Sequence, residues 1–183
     1  MPHQMIMQSY SDGPTKTANA IATVLPSYCA VTLPAGYWQI GRMWRMVATG
    51  RISCVISTPG TCRLSLLLGA VVAFDTLAIP LNIIAKTDEA WYLEVLLTCR
   101  AVGSGTSANL IGQGKFLSEA CIATVVAATG PGPGGVLVPF DTAPVVGTGF
   151  DSTAALTVGF QHTQTASTGS FTVHQFLIEQ LNP

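Results

Sequence analysis

Charge is what this chain has least of. Lysine, arginine, aspartate and glutamate make up 9% of its 183 residues, against about 25% in an ordinary soluble protein. What is missing is surface charge, so part of the surface is expected to be covered, and identical neighbours are the simplest cover. The eight lysines and arginines stand singly and the formal net charge is −1. That excludes a nucleic-acid partner, which would need clustered basic residues able to displace phosphate counterions. Arg42, Arg45 and Arg51 come nearest to a cluster, and Arg45 and Arg51 share one strand face, where solvation or salt bridges are expected.

Paired cysteines are also lacking. Cys29, Cys54, Cys62, Cys99 and Cys121 form an odd set with no C-x-x-C, so neither a disulfide framework nor a zinc site is signalled. Several fall where strand alternation calls for a small apolar residue. The expectation is buried, reduced thiols in a protein made in a reducing cytoplasm. No long hydrophobic run is present: Leu64 to Phe74 is the longest, and a bilayer span needs about 20 residues. The start, Met-Pro-His-Gln-Met-Ile-Met, has neither a basic region nor an apolar one, and is not expected to be a secretion signal. A membrane partner is therefore not expected.

Catalytic constellations are equally thin. His3, His162 and His174 are the only histidines, with His174 alone expected inside a strand, and the nine carboxylates show no acid–base pairing in their spacing. Ser104 and Ser107 sit in a glycine-bearing loop without G-x-S-x-G. The chain reads as non-enzymatic, with no catalytic, cofactor-binding or metal residue to nominate.

What is present is period two. Trp91, Leu93, Val95, Leu97, Cys99 and Ala101 alternate with Tyr92, Glu94, Thr98 and Arg100, a strand pattern. After Gly103 to Ser107, Ala108, Leu110, Gly112, Gly114 and Phe116 alternate with Asn109, Gln113 and Lys115. This is the returning arm of a hairpin, with Gly103 and Gly105 supplying positive φ. A hairpin this long cannot bury its apolar face alone, so other strands must pack on it.

In chain order, residues 1–16 read as a flexible lead or an arm reaching to a neighbour, and residues 17–183 as one β-sandwich domain. Thr17 to Leu25 suggests a first strand and Tyr28 to Leu33 a second. Tyr37 to Ile56 alternates, with Trp44, Met46, Ala48, Ile52 and Cys54 inward and Gly50 expected as a bulge or bend. Thr58-Pro-Gly-Thr61 is turn chemistry. Cys62, Leu64, Leu66 and Leu68 form another apolar face, Val71 to Asp75 continues it, and Leu81 to Ala85 is a brief extended piece.

Leu117 to Thr129 favours strand, and Gly130 to Gly135 a loop without the lysine of a phosphate loop. Pro139 and Pro144 confine Val136 to Val146 to an edge or a broken strand. Thr153 to Gln161 places Ala154, Leu156, Val158 and Phe160 inward, Gln161 to Ser170 reads as a polar turn, and Phe171 to Leu181 closes the fold inside a sheet. Eight to ten strands with short turns predict an all-β, antiparallel β-sandwich of jelly-roll topology.

Several segments, in order, resemble a family of tailed-bacteriophage proteins known as virion structural proteins. They are Val31 to Gly36, Gly50 to Ser53, Thr58 to Thr61, Trp91 to Gly105, Gly112 to Gly114, Asp151 to Thr153 and Gln175 to Asn182. The resemblance implies a sandwich like the tumour-necrosis-factor jelly rolls, which commonly form trimers. It also implies a place on the virion, as a capsid decoration protein bound to the major capsid protein or, alternatively, as a tail or fibre module. Gln161-His162 departs from the Trp-Ser of the family pattern. A receptor- or glycan-binding module would need exposed aromatics with polar partners, for which Tyr37 and Trp38 are the candidates, although a core or interface anchor is the commoner role for such residues.

Overall fold

The computed structural model describes residues 4–17, 19–55, 60–121, 135–165 and 169–182. Its strands are β1 (Gln4–Gln8), β2 (Ala22–Thr23), β3 (Val31–Leu33), β4 (Met43–Cys54), β5 (Thr61–Leu68), β6 (Val71–Asp75), β7 (Ile79–Pro80), β8 (Lys86–Ala101), β9 (Asn109–Ser118), β10 (Gly135–Val138), β11 (Leu156–Gln164) and β12 (Ser170–Gln180). The only helical turn among the described residues is a 3-10 turn at Ser27–Cys29.

Two antiparallel sheets form a sandwich. The first runs β1-β12-β4-β8-β9-β10 and the second β2-β11-β5-β6, with β3 also on β11 and β7 on β5. With β9 and β10 set aside, the orders 1-12-4-8 and 2-11-5-6 are those of a jelly roll, in which the first strand returns beside the last. The hairpin of β9 and the edge strand β10 widen the first sheet.

Alternation explains the core. On β8, Trp91, Leu93, Val95, Leu97 and Cys99 are buried while Tyr92, Glu94, Leu96, Thr98 and Arg100 face out. On β4, Trp44, Met46, Ala48, Ile52 and Cys54 are buried. They meet Leu64, Leu66, Leu68, Phe160 and Phe171 between the sheets in one cluster. Rings run through its middle: His162 stacks on Phe171 at 4.0 Å, Phe171 on Trp91 at 4.7 Å, and Trp91 on Phe116 at 5.9 Å. The loop between β8 and β9 turns with Gly103 at φ 157 and Gly105 at φ 65.

Several details differ from the sequence reading. Residues 4–16 of the lead run along β12: β1 pairs with Gln180 to Leu177, and the N–H groups of Ser9, Gly13 and Lys16 donate to the carbonyls of Phe176, Val173 and Phe171. Gly50 is not the bulge. The register slips on the partner strand between Val173 and Gln175, opposite Gly50, and a Cβ at position 50 would lie 1.9 Å from the Thr172 carbonyl oxygen and 2.9 Å from Trp91. Close approach of backbones, not a bend, keeps glycine there.

The expected strand at Thr17 to Leu25 shrinks to Ala22–Thr23, and Leu81 to Ala85 holds only an isolated bridge at Leu81. β11 continues through His162 to Gln164 where a turn was expected, and Ala154 is exposed before the strand begins. Among the described residues twelve strands replace eight to ten because β2, β3 and β7 are two or three residues long. The expected strand over Leu117 to Thr129 and the turn at Thr58 to Thr61 fall largely outside the described residues. Gly135 belongs to β10, which is an edge strand ended by Pro139 as the prolines require.

Candidate interaction face

The outer face of the first sheet is a grid set by strand register. One row reads Leu177, Val47, Glu94, Lys115 and Leu137 across β12, β4, β8, β9 and β10. The row on one side reads Glu179, Arg45, Leu96 and Gln113, and that on the other Gln175, Thr49, Tyr92 and Leu117. Directly opposed residues have Cβ atoms about 4.5–5.5 Å apart, so neighbours in this grid interact.

Its charges are held within the grid. The Arg45 guanidinium donates to Glu94 at 2.7 Å and to Glu179 at 3.1 Å, Lys115 lies 3.2 Å from Glu94, and the Tyr92 hydroxyl donates to Glu94 at 3.0 Å. Those partners, Arg45 foremost, hold the Glu94 carboxyl below its ordinary range, and the two carboxylates push the Arg45 guanidinium up. Two cations and two anions cancel. Around them stand Leu96, Leu117 and Leu137, exposed by 46%, 42% and 79%. A shallow groove of about 450 Å³ lies between Leu96 and Leu137, floored by Gln113, Lys115 and Glu94.

The outer face of the second sheet also holds a closed ion pair, Arg63 with Asp75, but hydroxyl and amide groups take the place of the exposed leucines. Thr32, Thr157, Gln161 and Thr163 lie on it, with a hydroxyl–hydroxyl bond of 3.1 Å between Thr32 and Thr157. Such groups remain comfortable in water. Of the two faces, the first suits burial against protein: apolar contacts at the side, and ion pairs already made, so that covering them strands no charge.

A second concavity of about 430 Å³ opens between the sheets beside β6. Phe74 and Leu110 line it, and the Phe74 ring occupies the space a Cβ on Gly112 would need, 2.3 Å away. The loop after β10 covers it, tied by the Phe140 N–H to the Thr76 carbonyl and the Gly147 N–H to the Leu110 carbonyl, both 2.8 Å. At its rim Arg63 binds both carboxylate oxygens of Asp75.

Tyr37 and Trp38, the aromatic candidates of the sequence, are anchors. Trp38 is buried against Trp44 and Phe150, and the Tyr37 hydroxyl accepts from Trp44 at 2.9 Å and donates to Gln180 at 2.6 Å. The exposed aromatics among the described residues are Tyr10, at 78%, and Tyr28, at 40%, stacked on each other at 3.9 Å, with the Tyr28 hydroxyl accepting from the N–H groups of Tyr10 and Ser11. Asp12, two residues on, contacts His174 at 2.8 Å. Ser104 and Ser107 close the β8–β9 turn, with the Ser107 N–H donating to the Ser104 carbonyl. His162 lies in the core and not in a turn. All five cysteines are buried and unpaired, and burial pushes the Cys121 thiol up to about 12.

Sequence reasoning passed over Leu96, Leu117 and Leu137. The signal was present: each is an apolar residue on the polar side of an alternating strand. Among the described residues no three His, Cys, Asp or Glu side chains come together as a metal site, and no helix is long and apolar enough to cross a membrane. No family model, curated protein or solved structure matches the chain.

Proposed function

We propose that this protein is a non-enzymatic structural component of a tailed-bacteriophage virion, a capsid decoration protein that assembles as a homo-oligomer, a trimer, and binds the major capsid protein. The observation that carries the reading is the outer face of the first sheet, apolar at its β10 side and neutral through internal ion pairs. A cementing protein needs such a surface and needs no reaction chemistry. The ordered segments that resemble virion structural proteins support the same reading.

Binding the assembled shell and not its dispersed subunits would stabilise the shell by mass action. Particles made without the protein are expected to lose their genome at lower temperature, and adding the protein back should restore them. Imaging intact particles at residue resolution should find it on the capsid surface.

The tail or fibre reading has one observation of its own, the exposed Tyr10 ring backed by Tyr28 beside Asp12 and His174. An aromatic platform with polar neighbours suits a sugar ring. Capsids equally robust without the protein, combined with loss of host attachment, would replace the decoration reading with this one.

A further inference from the structure

We propose that the β10 corner of the outer face docks on a second copy of this chain, Leu137 of each copy entering the groove beside Leu96 of the next around a trimer axis. The proposal rests on the assembling-protein reading and names the surface that assembly would use.

Knob and groove lie side by side on one surface. Leu137 is the most exposed large hydrophobic side chain among the described residues, and it forms one wall of the groove whose other wall is Leu96. A patch carrying both halves of a contact beside one axis lets each copy receive the knob of one neighbour and offer its own to the next, as a closed ring of identical copies requires. Electrostatics agree. Arg45 and Lys115 balance Glu94 and Glu179 within the patch, so two copies meet without net repulsion and each charge keeps its partner after water leaves.

The edge itself favours a face-on contact over strand addition. Among the described residues β10 offers Gly135–Val138 before Pro139, and proline supplies no N–H to extend a ladder. Leu117, next to Tyr92 in the adjoining row, adds apolar area on the same side.

Sedimentation of Leu137→Asp at micromolar concentration is the test. The dissociation constant of the oligomer should rise about a hundredfold, the size of a lost interface anchor, while the melting profile of the dilute, dissociated protein stays unchanged because the side chain is exposed. Leu137→Ser, which adds no charge, should weaken assembly in the same direction. Geometry is read separately by oxidising an equimolar mixture of Leu96→Cys and Leu137→Cys. The native thiols are buried, so a disulfide joining one chain of each kind reports the knob in its neighbour's groove.

An oligomer unaffected by Leu137→Asp, or a mixture that yields only unlinked chains, overturns the proposed surface while leaving an assembling protein. A wild type that sediments as a monomer at every concentration overturns both.

Discussion

His162 is packed flat on Phe171 with neither ring nitrogen hydrogen-bonded. Burial, with Lys16 adding repulsion, pushes its pKa from 6.5 down to about 4. An unfolded chain would therefore bind a proton that the folded one refuses. The stability this histidine confers is full above about pH 6.5 and declines as pH falls toward about 4, by ~3 kcal/mol in all. The Glu94 and Asp151 carboxyls are held low by their partners and lose their contribution only as pH falls through and below the ordinary carboxylate range, so the interval between pH 6.5 and 5 isolates His162. Urea midpoints at pH 7.5 and pH 5 should differ for the wild type and converge for His162→Phe. Trp91 is the other ring to test, buried between Phe171 and Phe116 with its Nε1 donating to the Thr172 carbonyl at 3.2 Å. Trp91→Ala should cost about 3–5 kcal/mol, and an unchanged melting temperature would mean that the two faces of β8 are reversed. Gly50→Ala forces a methyl against Thr172 and the same indole and should cost about 3 kcal/mol by overpacking, measured by denaturant titration.

At the scale of strands, the lead is held to β12 by backbone bonds, and one tight glycine sets it against the chain at Val24. A Cβ on Gly13 would lie 1.9 Å from the Val24 carbonyl oxygen. Gly13→Ala should therefore loosen the lead, with faster hydrogen exchange at Ser9, Gly13 and Lys16 and intact protection in β4 and β8. Equal loss of protection in all these strands would show that the lead is part of the main cooperative unit. The difference in legibility follows the same physics. β4, β8 and β9 were readable because each buries one complete face, and alternation then records the burial residue by residue. β1 was not, since Gln4–Gln8 lies at an edge and buries only Met7. His162 and Gln164 were read as turn because their burial depends on what β12 places over them, a long-range fact that no local pattern carries. The face at Leu96, Leu117 and Leu137 was passed over: each lies on the outer side of its strand, but only the pairing of β8, β9 and β10 brings them together.

For the whole molecule, scarcity of charge becomes a statement about salt. An interface resting on leucines and on ion pairs closed within one chain should respond weakly to ionic strength. Particles reconstituted with the protein should gain the same thermal tolerance in low and moderate salt, measured by genome release on heating, and a steep loss with added salt would mean that unsatisfied charges make the contact. The distribution of the cysteines has a consequence of another kind. Cys54 and Cys99 belong to one sheet and Cys62 to the other, while Cys29 and Cys121 lie in the connections, and none presents its sulfur to solvent. A thiol reagent can then modify the native protein only when a strand or connection opens. The rate at which each of the five acquires its label becomes a clock for that opening, and peptide mass mapping would tell whether the two sheets part together or one connection at a time.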